Sequence, residues 1–235
     1  MNAELLRQYL AYYEDLGIKT LYRRAPAVAQ PAGEAPADAP PTPVSAGSLA
    51  DVVAEIGDCR RCPLHAGRHK IVFGSGNEQA KLVFVGEGPG ADEDEQGLPF
   101  VGRAGQLLTQ MIEGTAAKEG LPLRRPDVYI CNVVKCRPPG NRTPEPDEMA
   151  ICGQFLTRQL EIIRPKAICA LGGTAAKYLT GSKEGVTRMR GNWYKWRDIP
   201  VMVTYHPSFL LRAYNVQAKR EAWEDLKKVL HFVYD

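Results

Sequence analysis

Four of the six cysteines have a spacing that suits metal chemistry. Cys59 and Cys62 form a C-x2-C pair, Cys136 follows after 73 residues, and Cys152 after 15 more. A close pair with two distant thiolates can close a tetrahedral four-sulfur site of the kind that holds zinc or an iron–sulfur cluster. A thioredoxin-type dithiol is the other reading of C-x2-C. It is weakened here because the pair does not stand at a strand-to-helix turn behind an aromatic residue. Cys131 and Cys169 lie inside apolar runs and read as buried small hydrophobes. A second set of residues suits recognition of a flat polar ring. Asn132 offers a donor and an acceptor side by side, as the edge of an imide or a heterocyclic base requires. Phe100 can stack on such a ring, and His206 can donate to a developing oxyanion. Each also has a structural reading: a turn or cap for Asn132, the core for Phe100, and a local hydrogen bonder before proline for His206.

These residues need a scaffold that brings distant segments to one place. The stretch GEGPGADEDEQGLPFVGRAGQLL, residues 86–108, follows the apolar run Leu82–Val85 and leads into a helical pattern. It reads as a long loop at the carboxyl end of a strand, where open α/β sheets place their ligands. Its acids at 92–95 and the lack of a following Gly-Lys-Ser/Thr exclude a phosphate-cradling P-loop. Apolar runs of strand length predict strands at 81–86, 128–134, 167–171 and 200–204. Helical periodicity predicts helices at 49–56, 104–114, 146–163, 173–180 and 217–233. Arg190–Trp196 reads as an aromatic hairpin strand. The alternation of strands and helices predicts one three-layer α/β/α domain over 49–235, built on a mostly parallel four-stranded sheet.

Two further segments precede that domain. Residues 1–24 read as a helix, with Leu6, Tyr9, Leu10 and Tyr13 on one stripe, which either docks on the domain or binds a protein partner. Residues 25–48 contain eight Ala and six Pro in 24 positions. That composition cannot offset the entropy of ordering and reads as a flexible linker. The net charge of the chain is +3, compatible with nucleic-acid binding without arguing for it. There is no run of 18 apolar residues and no export signal, so the chain reads as cytoplasmic. Six cysteines in that setting point to metal, redox or buried thiols ahead of disulfides.

The segments GEGPGADEDEQGLPFVGRAGQLL, NVVKCRPPGNRTPEPDE, LGGTAAKYLTG, RGNWYKW and YHPSFLLR, together with the CRRC start, follow one another in the order found in a known family. Over residues 55–234 the chain resembles the family 4 uracil-DNA glycosylases, the iron–sulfur branch of the uracil glycosylase superfamily. Glu87 favours family 4, since the related family 5 typically has an apolar residue there. The basic insertion of the covalently trapping relatives is absent.

The resemblance implies a monofunctional glycosylase of base excision repair that flips uracil out of single- or double-stranded DNA and hydrolyses its N-glycosidic bond. A non-catalytic iron–sulfur nucleic-acid-binding or redox module of the same fold is the alternative. By the same resemblance, Cys59, Cys62, Cys136 and Cys152 hold a [4Fe–4S] cluster. Gly86, Glu87 and Gly88 line the uracil pocket, Phe100 stacks on the base, Asn132 reads N3–H and O4, and His206 sits by O2. Glu93 stands in the pocket wall, and either it or Glu87 supplies the help to water. Leu210, Leu211 and Arg212 enter the DNA. Lys135, Arg137 and Arg142 are, with Arg212, candidate phosphate contacts. The chain is expected to act as a monomer.

Overall fold

The computed structural model describes residues 47–212 and 214–235. The expected helix at 1–24 and nearly all of the Pro/Ala linker lie outside the described residues. Helix α1, Leu49–Ile56, opens on Ser48. The Ser48 hydroxyl accepts from the Asp51 N–H while Asp51 accepts from the Ser48 backbone, a capping box.

The sheet has strands β1 (Ser75–Gly76), β2 (Leu82–Gly86), β3 (Tyr129–Asn132), β4 (Ala167–Leu171), β5 (Trp193–Trp196) and β6 (Ile199–Thr204), in the order β1-β3-β2-β4-β6-β5. The four strands expected from the apolar runs, β3-β2-β4-β6, form its parallel centre. The aromatic segment becomes edge strand β5, antiparallel to β6, and the two-residue β1 closes the other edge against β3. The sheet is therefore six-stranded, wider than expected. A two-residue strand has no periodicity to read.

Alternation divides the core in two. Val83 and Val85 of β2, Cys131 of β3, and Ile168 and Ala170 of β4 face one layer, with helices α4 (Pro146–Ile163) and α5 (Gly173–Thr180). Leu82 and Phe84, Ile130, and Cys169 and Leu171 face the other, with α3 (Arg103–Lys118) and α8 (Val216–Tyr234). Both faces of the parallel strands are thus covered, as the near-continuous apolar runs require. Among the described residues no helix is long and apolar enough to cross a membrane.

The stretch read as one long loop contains a helix, α2 (Ala91–Gln96). Gly90 is its N-cap, and the Glu93 carboxylate accepts from the Gly90 N–H at 3.1 Å. Asp92, Glu93 and Asp94 occupy the first turn, where the amide end of a helix favours negative charge. Gly97, at φ 78°, ends it in the left-handed conformation. Two short α-helices, α6 (Val186–Met189) and α7 (Pro207–Leu210), are the remaining α-helices among the described residues.

Helix α3 presses on the end of this segment. A Cβ on Gly105 would lie 1.9 Å from the Phe100 carbonyl oxygen, whereas one on Gly114 meets nothing within 4 Å. Gly105→Ala is therefore expected to lower the unfolding free energy by about 1–3 kcal/mol. Gly114→Ala, in the same helix, is expected to raise it by roughly 0.5–1 kcal/mol. Chemical denaturation of both variants checks the pair, and equal effects would contradict the tight approach at Gly105.

Candidate active site and thiol cavity

The carboxyl ends of all four parallel strands open into one cavity of about 310 Å³, within the size range of small-molecule sites. Glu87 and Gly88 follow β2, Asn132 ends β3, Leu171–Gly173 end β4, and His206 follows β6. Phe100 and Glu93 enter from the α2 segment. The structure therefore brings together six of the pocket residues singled out above. Gly86 lies beneath them. A Cβ there would sit 2.5 Å from both Asn132 Oδ1 and Phe100 Cζ, so the bare backbone is what lets these two side chains meet. Gly88 is held bare in the same way, with Val134 Cγ2 at 2.8 Å from a built Cβ.

Asn132 is 1% exposed, and its Oδ1 has no hydrogen-bond partner among the described residues. A buried amide oxygen left unpaired costs about 1–3 kcal/mol, so the site is complete only with a donor from outside the protein. Phe100 adopts φ 53°, a conformation uncommon for a non-glycine residue. Its buried ring stands 5.5 Å from that of His206. Arg125, which sequence reading passed over, pins this segment. Its guanidinium donates to the Pro99 carbonyl at 2.7 Å and to Thr109 Oγ1 at 2.9 Å.

The two acids differ in how they are held. Glu93 accepts from Val101 N and Gly102 N, both at 2.9 Å, and from Gly90 N. Both of its oxygens are taken by backbone donors. Glu93 lines the cavity wall, and through these bonds it also braces the segment that carries Phe100. Glu87 is tied at one oxygen only, by the Thr174 hydroxyl in the first turn of α5. Thr174 lies inside LGGTAAKYLTG, and its place just after a strand-end glycine pair is the signal that marks it.

His206 is oriented by Ser208, two residues on. The Ser208 N–H donates to Nδ1 at 3.2 Å, with the Ser208 hydroxyl 2.8 Å from the same atom. A backbone N–H can only donate, so Nδ1 accepts and the ring proton of the neutral imidazole is on Nε2. Burial pushes His206 down to about 4, against a weaker upward pull from Glu93.

The thiols form a separate site. Cys59, Cys62, Cys136 and Cys152 line one small cavity with Arg68 and Lys135. The cysteines come from the turn after α1, the loop after β3 and the second turn of α4. Arg68 Nη1 approaches Cys136 Sγ at 3.6 Å, and the Lys135 N–H donates to Cys152 Sγ at 3.2 Å. Burial raises the thiols of Cys62 and Cys136, and that of Cys152 to about 11. Among the described residues no three His, Cys, Asp or Glu side chains converge to hold a metal ion; the thiols wall a shared space. Cys131 and Cys169 are buried in the core.

Three expectations for the DNA side change. Leu210 is 1% exposed and packs with Tyr205, Ala218 and Ala222, so it cannot enter DNA. Lys135 is 2% exposed and bound internally, so it cannot meet a phosphate. Arg142 is held by both oxygens of Glu148, at 2.7 and 2.8 Å. Arg137 is engaged by Asn141 at 2.8 Å on the exposed surface. Leu211 and Arg212 are exposed, and Tyr214, not anticipated, is more so.

A His206 value near 4 places its charging far below the ordinary 6.5. Between those values the unfolded chain binds the proton and the folded chain does not. The stability contribution is thus present above about 6.5 and lost as pH falls toward 4. NMR titration of the His206 ring is expected to show the neutral Nε2–H tautomer through pH 6 with a midpoint near 4. A midpoint near 6.5 would contradict the half-buried, Ser208-held geometry.

Residues 73–227 match the model of the Uracil DNA glycosylase superfamily. The chain is 48% identical over 188 residues to the type-4 uracil-DNA glycosylase of Thermotoga maritima, covering 79% of this chain and 95% of that protein. It is 46% identical over 190 residues to the type-4 enzyme of Archaeoglobus fulgidus, covering 77% and 92%. To the type-5 uracil-DNA glycosylase of Pyrobaculum aerophilum it is 30% identical, over 66% and 71%.

Proposed function

Because the chain belongs to the uracil DNA glycosylase superfamily, and within it to the type-4 enzymes, we propose that it hydrolyses the N-glycosidic bond of a flipped uracil in DNA. The products are free uracil and an abasic site, the opening step of base excision repair. The observation that carries this reading for the site itself is the unpaired amide of buried Asn132 beside Phe100. Uracil N3–H satisfies Asn132 Oδ1, and the amide N–H₂ donates to O4. Cytosine has no N3–H and carries an amino group at C4, so it leaves the buried amide unpaired or opposed, a strong basis for rejection. Phe100 stacks on the ring.

As the bond breaks, charge develops on O2 of the leaving uracil. The neutral His206, donating through Nε2–H, stabilises that charge in the transition state more than in the ground state. A neutral donor gives up no proton that it must later recover. Glu87 is the better of the two acids for orienting the attacking water, because one oxygen is fixed by Thr174 and the other is not spent on the backbone. Glu93 works indirectly, through the Phe100 segment. The complete set of Glu87, Phe100, Asn132 and His206 favours catalysis over a binding module that has lost base excision.

The four thiols around one cavity, with N–H donors directed at two of the sulfurs, fit a [4Fe–4S] cluster held by Cys59, Cys62, Cys136 and Cys152. When bound it supplies a cross-link between the turn after α1, the loop after β3 and α4. A cytoplasmic setting keeps such thiols reduced. Leu211, Arg212 and Tyr214 are the exposed groups next to α7 for contact with DNA, the first and last apolar or aromatic and the second cationic. The protein works as a monomer on single- or double-stranded substrate. The glycosylase domain is taken to span residues 49–235.

Purified protein is expected to release free uracil from uracil-containing oligonucleotides without cutting the strand. Asn132→Ala and His206→Ala should each lower the single-turnover rate by about 10²–10³, and Thr174→Val should lower kcat with KM little changed. A protein that releases no uracil would overturn the reading. Protein purified without air should show broad visible absorption that bleaches on reduction. A colourless protein with one zinc per chain would instead refute the cluster.

A further inference from the structure

The segment RGNWYKW has no part in the site described above, yet its first residue leads to it. Arg190 follows α6 and forms a two-point ion pair with Asp225 of α8, which is 0% exposed. Arg190 Nε donates to Asp225 Oδ2 at 3.0 Å, and Nη2 donates to Oδ1. The next residue is Gly191, at φ 73°, where a Cβ would stand 2.9 Å from Asp225 Oδ1. The same Asp225 Oδ2 accepts from the Thr204 hydroxyl at 2.8 Å. Thr204 is buried and ends β6, two residues before His206. Its carbonyl accepts from the Gly172 N–H at 2.9 Å, and a Cβ on Gly172 would stand 2.9 Å from His206 Cβ. One turn earlier on α8, Glu221 accepts from the Tyr205 hydroxyl at 3.1 Å. Both residues that lead into His206 are therefore tied to α8.

Stability alone does not account for this arrangement. A buried ion pair gains little over an apolar pair of the same volume, because desolvation offsets the attraction. What the charges add is direction. The guanidinium fork fixes both oxygens of Asp225, and Asp225 then offers Thr204 an acceptor at one fixed point. Packed against Gly172 on one side, His206 takes its height along β6 from that point, while the Ser208 contacts set how the ring turns. Resting on the glycosylase reading above, we propose that Arg190, Asp225 and Thr204 are positioning residues for His206, which set the distance of its Nε2 from O2 of the leaving uracil. None of the three lines the cavity. They act through the backbone that carries His206.

The test compares Thr204→Val, which keeps the shape and removes the hydroxyl, with Thr204→Ser, which keeps the hydroxyl. Both are made in the full-length chain purified without air, beside the wild type. Single-turnover uracil release is separated into its limiting rate and the half-saturating enzyme concentration, and the NMR signals of the His206 ring are recorded on the folded proteins. Thr204→Val should lower the limiting rate by about 10-fold, within the loss of up to about 100-fold that an ångström-scale misplacement brings, with half-saturation little changed. It should also move the His206 ring signals, and Thr204→Ser should restore both. A residue that only stabilised the fold would lower the denaturation midpoint and leave the limiting rate and the ring signals as they are in the wild type; that result overturns the proposal. So does a Thr204→Ser protein as slow as Thr204→Val. If Thr204→Val does not accumulate folded, Arg190→Lys decides, since it keeps the charge without the fork. It should lower the limiting rate and move the ring signals, and a wild-type value for either overturns the claim. A wild-type chain that releases no uracil sinks the glycosylase reading instead, and the His206 ring signals of the variants alone then decide the positioning claim.

Discussion

The site depends on a missing side chain. At Gly86 the end of β2 runs so close to Asn132 and Phe100 that one added carbon would meet both at 2.5 Å. Everything around that point serves to keep the approach tight. Parallel pairing continues past the strand ends, with Val133 N donating to the Gly86 carbonyl and Val134 N to that of Glu87. Helix α3 comes down on Phe100 through Gly105, Arg125 clamps Pro99, and Glu93 gathers three backbone N–H groups into one carboxylate. The left-handed backbone at Phe100 is the local strain that these contacts over-determine.

Much of this was legible in the residues themselves. The apolar runs of β2, β3, β4 and β6 are those of strands buried on both faces, and their ends carry Glu87, Asn132, Gly172 and His206. Helix α2 was not legible, because an acidic run of this kind reads as solvated loop when its surroundings are unknown. It becomes a helix because its charges meet the amide end of the same turn and because Gly90 and Gly97 suit the two caps. The fates of Leu210 and Lys135 were equally hidden. Both stand in segments that look made for DNA, yet packing against α8 and α4, distant in sequence, buries them. Hydroxyl partners such as Thr174 and Ser208 are ordinary residues until the strand ends converge.

The same geometry divides labour among groups of similar chemistry. Of two neighbouring acids, one is consumed by backbone donors and the other keeps an oxygen for the cavity. Of the titratable groups at the pocket, the histidine is held neutral and its proton is fixed on the inward nitrogen by a backbone N–H. Catalysis read this way needs no group to change its charge before the bond breaks. The electrostatic work is done by donors set in place during folding, which is where preorganisation has its largest effect.

The central claim is that Asn132, left unpaired by the protein, is completed by the edge of one particular base. The most direct measurement is the single-turnover release of base from oligonucleotides identical except for uracil, cytosine or thymine at one position. The account predicts release of uracil with cytosine left intact over the same time; thymine, which offers the same N3–H and O4, is not discriminated by Asn132. Release of cytosine at a rate comparable to uracil would contradict it, because the geometry leaves cytosine no partner for the buried amide.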